Sequence, residues 1–229
     1  MSDSLAARSL DHVALWVSER ELIAELLCRH LGMHVISAGD DFTLVGIDAR
    51  EGKLTLFDAD PPRDRGVLER VVLRVGDLNE ALRRLPPGLW TQSNGDAIDL
   101  TFPDGLHLGL TQAAGADYDL DHVALRVPDP GAVASWLGGL GFERRDGRLG
   151  IAGRQVTLTS GDGVETDRPL LNHLALLVDS VAEVRSAAEA RGFEIDREVD
   201  AENTLAVFVR GPAGILVEYV EHKPGFSLT

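Results

Sequence analysis

Disulfides, membrane spans and basic stretches are all missing from this sequence. A single cysteine, Cys28, excludes an internal disulfide and suits a reducing cytoplasm; on a stretch of helical periodicity it reads as a small buried thiol. No run of about 18 apolar residues occurs, so no membrane span is expected, and Met1–Ser9 lacks the apolar core of a signal peptide. Cations are scarce: 22 Lys and Arg against 37 Asp and Glu leave a formal charge of −15. Nucleic-acid binding needs a basic face to meet phosphate, and the short pairs Arg83-Arg84 and Arg144-Arg145 look like solvated faces. The expectation is a cytoplasmic protein whose partners include neither nucleic acid nor membrane.

What is present is a duplication. Leu-Asp-His-Val-Ala-Leu occurs at Leu10–Leu15 and again at Leu120–Leu125, and Leu31-Gly32-Met33 is answered by Leu140-Gly141-Phe142. Internal repeats take precedence over any fold assignment. Each half divides again into a β-α unit followed by short alternating strands. In the first half the segments are strand Leu10–Leu15, helix Glu19–His30, strands Phe42–Ile47 and Lys53–Phe57, then strand Leu68–Val75 and helix Leu78–Leu85. In the second they are strand Leu120–Leu125, helix Pro130–Leu140, strands Arg148–Ala152 and Gln155–Thr159, then strand Asn172–Val178 and helix Val181–Arg191. Each half closes on a Pro-x-Gly turn feeding a strand, Pro103-Asp104-Gly105 before Leu106–Leu110 and Pro212-Ala213-Gly214 before Ile215–Val220.

The chain is thus four βαβββ modules. One module leaves a sheet face bare, so modules must pair to bury it. The expected fold is α+β, with two cupped eight-stranded mixed sheets and outer helices. With the polar stretch Ala113–Tyr118 as the boundary, neighbouring modules pair into domains at residues 8–113 and 119–222. Open sheet edges leave room for a homo-oligomer, although no segment identifies an interface.

Three residues in the second half occupy matched places: His122 and His173 on first strands of their modules, and Glu218 on a last strand. A lone strand histidine is ordinarily a satisfied core residue. Here an ionised carboxylate also interrupts the apolar run Ile215–Val220, where burial is costly unless it is paired or metal-bound. Two His and one carboxylate with open positions suit non-haem Fe(II). In the first half His12 matches His122, but Arg70 stands where His173 does and Gly109 where Glu218 does; His107 lies two positions away on the face of Gly109. The expectation is a metal site in residues 119–222, made by His122, His173 and Glu218, and a first domain whose site is lost. By alternation Arg126, Gln155, Thr157, Thr159, Phe208 and Arg210 face the same pocket.

These residues resemble the vicinal oxygen chelate superfamily of glyoxalases, bleomycin-resistance proteins and type I extradiol dioxygenases, from about Leu10 to Glu221. The carriers are Leu-Asp-His-Val-Ala-Leu-Arg-Val at Leu120–Val127, Asn-His-Leu-Ala-Leu-Leu-Val at Asn172–Val178, and Arg-Gly-Pro-Ala-Gly-Ile-Leu-Val-Glu-Tyr at Arg210–Tyr219. Four modules with one metal site look like a two-domain extradiol dioxygenase, which implies Fe(II), less often Mn(II), with O2 and a metal-chelating vicinal-oxygen substrate such as a catechol. The pattern departs where extradiol members carry a second-shell His and a Tyr: Phe208 holds the Tyr position, and Val199–Ala206 contains no His. A glyoxalase-like lyase or isomerase, using Zn(II) or Ni(II), would take a fourth ligand, a carboxylate, at about Thr157, and a non-catalytic antibiotic-binding protein would not need the triad. The resemblance therefore implies a metal-dependent dioxygenase first.

Overall fold

The computed structural model describes residues 5–47, 52–92, 97–116, 118–163, 165–224 and 226. Module one runs β1 (Ser9–Val17), α1 (Arg20–Leu31), β2 (His34–Ala38), β3 (Phe42–Gly46) and β4 (Lys53–Asp58). Module two is β5 (Leu68–Val75), α2 (Leu78–Arg84), β6 (Trp90–Gln92), β7 (Ala97–Thr101) and β8 (His107–Gln112). Module three is β9 (Asp119–Val127), α3 (Pro130–Gly139), β10 (Glu143–Arg145), β11 (Arg148–Ile151) and β12 (Arg154–Ser160). Module four is β13 (Leu171–Leu177), α4 (Val181–Ala190), β14 (Glu194–Asp200), β15 (Thr204–Arg210) and β16 (Leu216–His222). The α+β class and the βαβββ repeat agree with expectation.

Local chemistry fixes the helices. Asp77, Asp129 and Ser180 cap α2, α3 and α4 by accepting the backbone N–H three residues on, which satisfies an orphan donor at each start. α1 stops at Gly32, whose φ of 68° is left-handed and suits glycine. Ile23, Leu27 and Leu31, spaced by four, are buried on one face of α1, each contributing roughly 1.5–3 kcal/mol. Cys28 is only half-buried beside them, and burial pushes its thiol pKa up.

The pairing of modules differs from the expected one. One eight-stranded sheet has the order β14-β15-β16-β13-β1-β4-β3-β2, and the other β10-β11-β12-β9-β5-β8-β7-β6. The first and last modules therefore share one sheet and the two middle modules share the other. The expected division at residues 8–113 and 119–222 is replaced by pairs that cross between halves. In each sheet the two modules abut through antiparallel first strands, β1 with β13 and β5 with β9. Residues 113–118 are thus a link within the middle sheet.

The chain passes between sheets twice, at residues 59–67 and 161–170, and these crossovers bond to one another. Asp64 N–H donates to the Arg168 carbonyl at 2.8 Å and Leu170 N–H to the Asp64 carbonyl at 2.7 Å. Thr166 Oγ1 donates to Asp64 Oδ2 at 2.7 Å. One continuous core joins both sheets, with Val13, Leu15, Val123 and Leu125 fully buried. The buried Tyr219 hydroxyl on β16 donates to the Leu140 carbonyl after α3 at 2.7 Å. Trp136 of α3 lies against Gly211, where a Cβ would stand 2.3 Å from the indole.

Candidate metal centre

A repeated bulge builds the site. On β1 and β13 the register skips Asp11 and Asn172; on β5 and β9 it skips Glu69 and Asp121. A bulge re-aims side chains and breaks strict alternation, so the skipped residue can reach the side chain that follows it. His12 Nδ1 donates to Asp11 Oδ1 at 2.8 Å, His173 Nδ1 to Asn172 Oδ1 at 3.0 Å, and His122 Nδ1 to Asp121 Oδ2 at 2.6 Å. A carboxylate and an amide oxygen can only accept, so each ring carries its proton on Nδ1 and presents a lone pair at Nε2.

In the sheet of modules one and four, these lone pairs converge. His12 and His173 face each other with Nε2 atoms 3.1 Å apart. Glu218 Oε2 lies 2.8 Å from His173 Nε2 and 3.4 Å from His12 Nε2. Oε2 is buried yet makes no hydrogen bond among the described residues; its contacts with the rings are close but lack a donor aimed at an acceptor. Three acceptors gathered without a proton between them repel, unless a cation stands among them. Two donor atoms each about 2.1 Å from one ion stand about 3 Å apart at a right angle and about 3.4 Å apart at a tetrahedral angle. The observed separations group around the right-angle value, as three ligands on one face of an octahedron would. His12, His173 and Glu218 therefore fit a divalent ion, their ligand atoms all lying within 4.8 Å of one another.

The expected ligand set is corrected at one position. His173 and Glu218 come together as expected, but His122 is in the other sheet, opposite Val72 and Gln155. His12 takes its place because module four pairs with module one. The alignment of lost positions holds: Arg70 pairs with Ala124 as His173 does with Ala14, and Gly109 pairs with Val72 as Glu218 does with Ala175. Arg70, Gly109 and His122 thus share the middle cup. Arg126, Gln155 and Thr157 stand in that cup's register with Thr159, whereas Phe208 and Arg210 belong to the outer one.

A charged group behind His12 was not foreseen. Lys53 is 1% exposed, pairs with His12 in register, and donates from Nζ to Asp11 Oδ2 at 2.8 Å. A lysine opening the otherwise apolar strand Lys53–Phe57 was the available signal. Burial raises the Asp11 pKa, but His12 and Lys53 lower it further, and the net is down. Burial likewise raises the Glu218 pKa, positive charge on the adjacent His173 and His12 rings would lower it, and the net is down. Burial lowers His173 against the opposing pull of Glu218, favouring the neutral ring that can bind metal. His222, 3.7 Å from Asp11 Oδ2, is lowered chiefly by burial.

The position equivalent to Glu218 in module one is Thr55, since Ala14 pairs with Thr55 as Ala175 pairs with Glu218. The fourth place around the centre thus carries a hydroxyl, and the place expected at Thr157 belongs to the middle cup. Toward the mouth, Trp16 and Phe57 pack at a tilt with centroids 5.2 Å apart, and Phe57 meets Phe42 at 6.2 Å. Phe208 meets His173 edge-on at 5.1 Å, with the Arg197 guanidinium 3.9 Å over its ring. A cavity of about 430 Å³ opens next to the site between Trp16, Asn172, Arg197, Arg210 and Leu216, roofed by crossover residues such as Glu165.

Comparison with known proteins agrees with this architecture. Residues 119–219 match the Glyoxalase/Bleomycin resistance protein/Dioxygenase superfamily. No curated protein matches the sequence. Among solved structures, a Bacillus subtilis protein provisionally described as a dioxygenase superposes with a TM-score of 0.78 at 16% identity, covering 96% of this chain and 86% of its own. A V278E mutant of glyoxalase I from Zea mays gives 0.77 at 19% identity, covering 94% and 92%. The cppA protein of Streptococcus pneumoniae gives 0.63 at 17%, covering 92% and 96%. At these identities the likeness is one of fold. The matched segment spans modules three and four, and the likeness of fold to the solved structures extends through all four modules.

Proposed function

We propose that the chain is a metal-dependent oxygenase in which His12, His173 and Glu218 hold Fe(II), and which oxidises a small substrate chelating the metal through two neighbouring oxygens. The observation that carries this is the convergence of three acceptor atoms whose two imidazoles are locked by Asp11 and Asn172 into the metal-binding tautomer. Two His and one carboxylate on one side leave adjacent positions open for substrate and O2. Mn(II) suits the same set; Zn(II) and Ni(II) suit it less well, because Thr55 offers no carboxylate as a fourth ligand. Bound there, iron supplies one-electron chemistry with O2 that side chains lack.

The chain's own residues do the rest. Asp11 and Asn172 orient the rings, and the Lys53–Asp11 pair keeps a buried charge neutralised behind His12. Trp16, Phe57, Phe42 and Phe208 give the cup apolar walls that exclude water and suit a planar ring. Phe208 cannot donate or accept a proton, and residues 199–206 contain no histidine, so no proton carrier stands on β15. A substrate acidic enough to ionise on chelation, such as a nitrocatechol or a hydroxylated carboxylic acid, needs none.

Oxygen uptake tests this. Protein reconstituted anaerobically with Fe(II) should consume O2 on addition of 4-nitrocatechol, and Glu218→Ala should not. Turnover of a non-oxidised substrate under argon with Zn(II) or Ni(II), without O2 uptake by the iron form, would place the chain among the lyases and isomerases instead.

A further inference from the structure

The middle cup has the same backbone as the outer one but different side chains. Its four central positions hold His122, Thr157, Arg70 and Gly109, where the outer cup has His12, Thr55, His173 and Glu218. The carboxylate is gone, and a guanidinium stands at the register position of a metal-binding imidazole. The walls change in the same sense. Trp16, Phe57, Phe208 and Leu216 are matched by Arg126, Thr159, Asp99 and His107. One cup is lined for an aromatic ligand around a cation, and its counterpart is polar around a fixed positive charge.

The carboxylates nearby are committed. Asp99 Oδ1 accepts from Arg70 Nη1 at 2.9 Å. Glu69 accepts from Arg126 at 3.2 Å and from Thr159 at 2.8 Å. Asp121 accepts from His122 Nδ1, which leaves His122 Nε2 as the end of the ring equivalent to the metal-binding nitrogen of His12. Arg70 Nε is buried and has no acceptor among the described residues, although the side chain is 35% exposed. A guanidinium offers five donors in a planar fork matched to carboxylate or phosphate, and here the Nε donor lacks a partner among the described residues. His107, on the same face as Gly109, is pushed down by burial and by the Arg65 and Arg70 charges, with Asp99 opposing.

We propose that the middle cup is a binding site for a small oxyanion, a carboxylate or phosphate group seated on Arg70 with the Thr157 position beside it. It is separate from the metal centre and does not depend on its chemistry. Its ligand class follows from the replacement of a cation-binding carboxylate by glycine and of an imidazole by a guanidinium.

Thermal unfolding midpoints titrated with inorganic phosphate and separately with acetate, at constant ionic strength in sodium chloride, test the assignment. At least one anion should raise the midpoint saturably; which of the two saturates at lower concentration identifies the source chemistry. Arg70→Gln should weaken that binding at least tenfold, while His173→Ala, which disables the outer cup, should leave it within about threefold. Asp99→Asn separates a binding site from a structural plug, because it keeps the guanidinium and releases Nη1. Binding should tighten severalfold in this variant, and this arm decides the matter even if Arg70→Gln does not fold. Midpoints that rise only linearly, as general salt exclusion gives, or Asp99→Asn titrating no more tightly than the parent, would overturn the proposal.

Discussion

Replacing His12 and His122 in turn separates the observed module pairing from the one that chain order suggests. The two residues sit in identical hexapeptides, each with its Nδ1 bonded to the preceding aspartate. Only His12 lies 3.1 Å from His173. Binding of a structural Zn(II) by four ligands is worth about 10–16 kcal/mol, or about 2.5–4 kcal/mol per ligand. At about 1.4 kcal/mol per factor of ten, His12→Ala should weaken metal binding by about 100- to 1,000-fold. His122→Ala, in the other sheet, should change it by less than about threefold, as expected for sites without shared partners. Anaerobic Mn(II) titration followed by the loss of the free-ion EPR signal measures both constants on one scale. Thermal unfolding of each metal-free variant checks that the fold persists. Loss of affinity in His122→Ala equal to that in His12→Ala would refute the assignment, and with it the pairing of modules one and four as the source of the site.

Three further substitutions probe the supports of the centre. Asn172→Ala should cost roughly 10- to 100-fold in metal affinity, the usual effect of removing a group that orients a ligand, with little change in the metal-free unfolding midpoint. Lys53→Met leaves the Asp11 carboxylate buried without its cation; a broken buried pair costs about 3–5 kcal/mol, which for a chain of this size lowers the midpoint by on the order of 10 °C, read by calorimetry. Thr55→Glu should supply a carboxylate as the fourth ligand and tighten Zn(II) binding by at least about tenfold, measured by competition with a chromophoric chelator. An unchanged Zn(II) constant would show that Thr55 does not border the ion.

The module boundaries were legible because they depend on local signals. Leu68–Val75 is a strand over its full expected span, and helix ends shift by a residue or so, as at Val181–Ala190. The equivalences of Arg70 with His173 and Gly109 with Glu218 also held, since repeats align without knowledge of contacts. The pairing was not legible, for a physical reason. Modules one and three are alike and modules two and four are alike, so joining neighbours or joining ends gives each cup one module of each kind. Hydrophobic patterning is identical in the two arrangements. What accompanies the observed one is non-local: the bonds between crossovers through Asp64, Arg168 and Leu170, and Trp136 packed on Gly211. The bulges at Asp11 and Asn172 were hidden for the same reason, because an unpaired residue exists only relative to a partner strand. Lys53 differs, because a lysine opening a largely apolar strand is a local feature of the sequence; its burial against Asp11 emerges only in the fold.

Joining the ends of the chain makes the candidate metal centre a property of the whole molecule. His12 comes from the first strand and Glu218 from the last, 206 positions apart, and neither half holds more than two of the three ligands. The middle modules form their own sheet from adjacent segments, so their pairing closes a shorter loop than that of β1 with β13. Loop closure costs more entropy as separation grows, and non-local pairings are made late for the same reason. The sheet that carries Arg70 and His122 can therefore assemble first and serve as the template on which the outer modules close. In that order of events the middle cup's loss of its metal ligands costs the centre nothing, while its core, shared with the outer sheet through residues such as Val123 and Leu125, remains necessary to bring His12 and His173 within 3.1 Å.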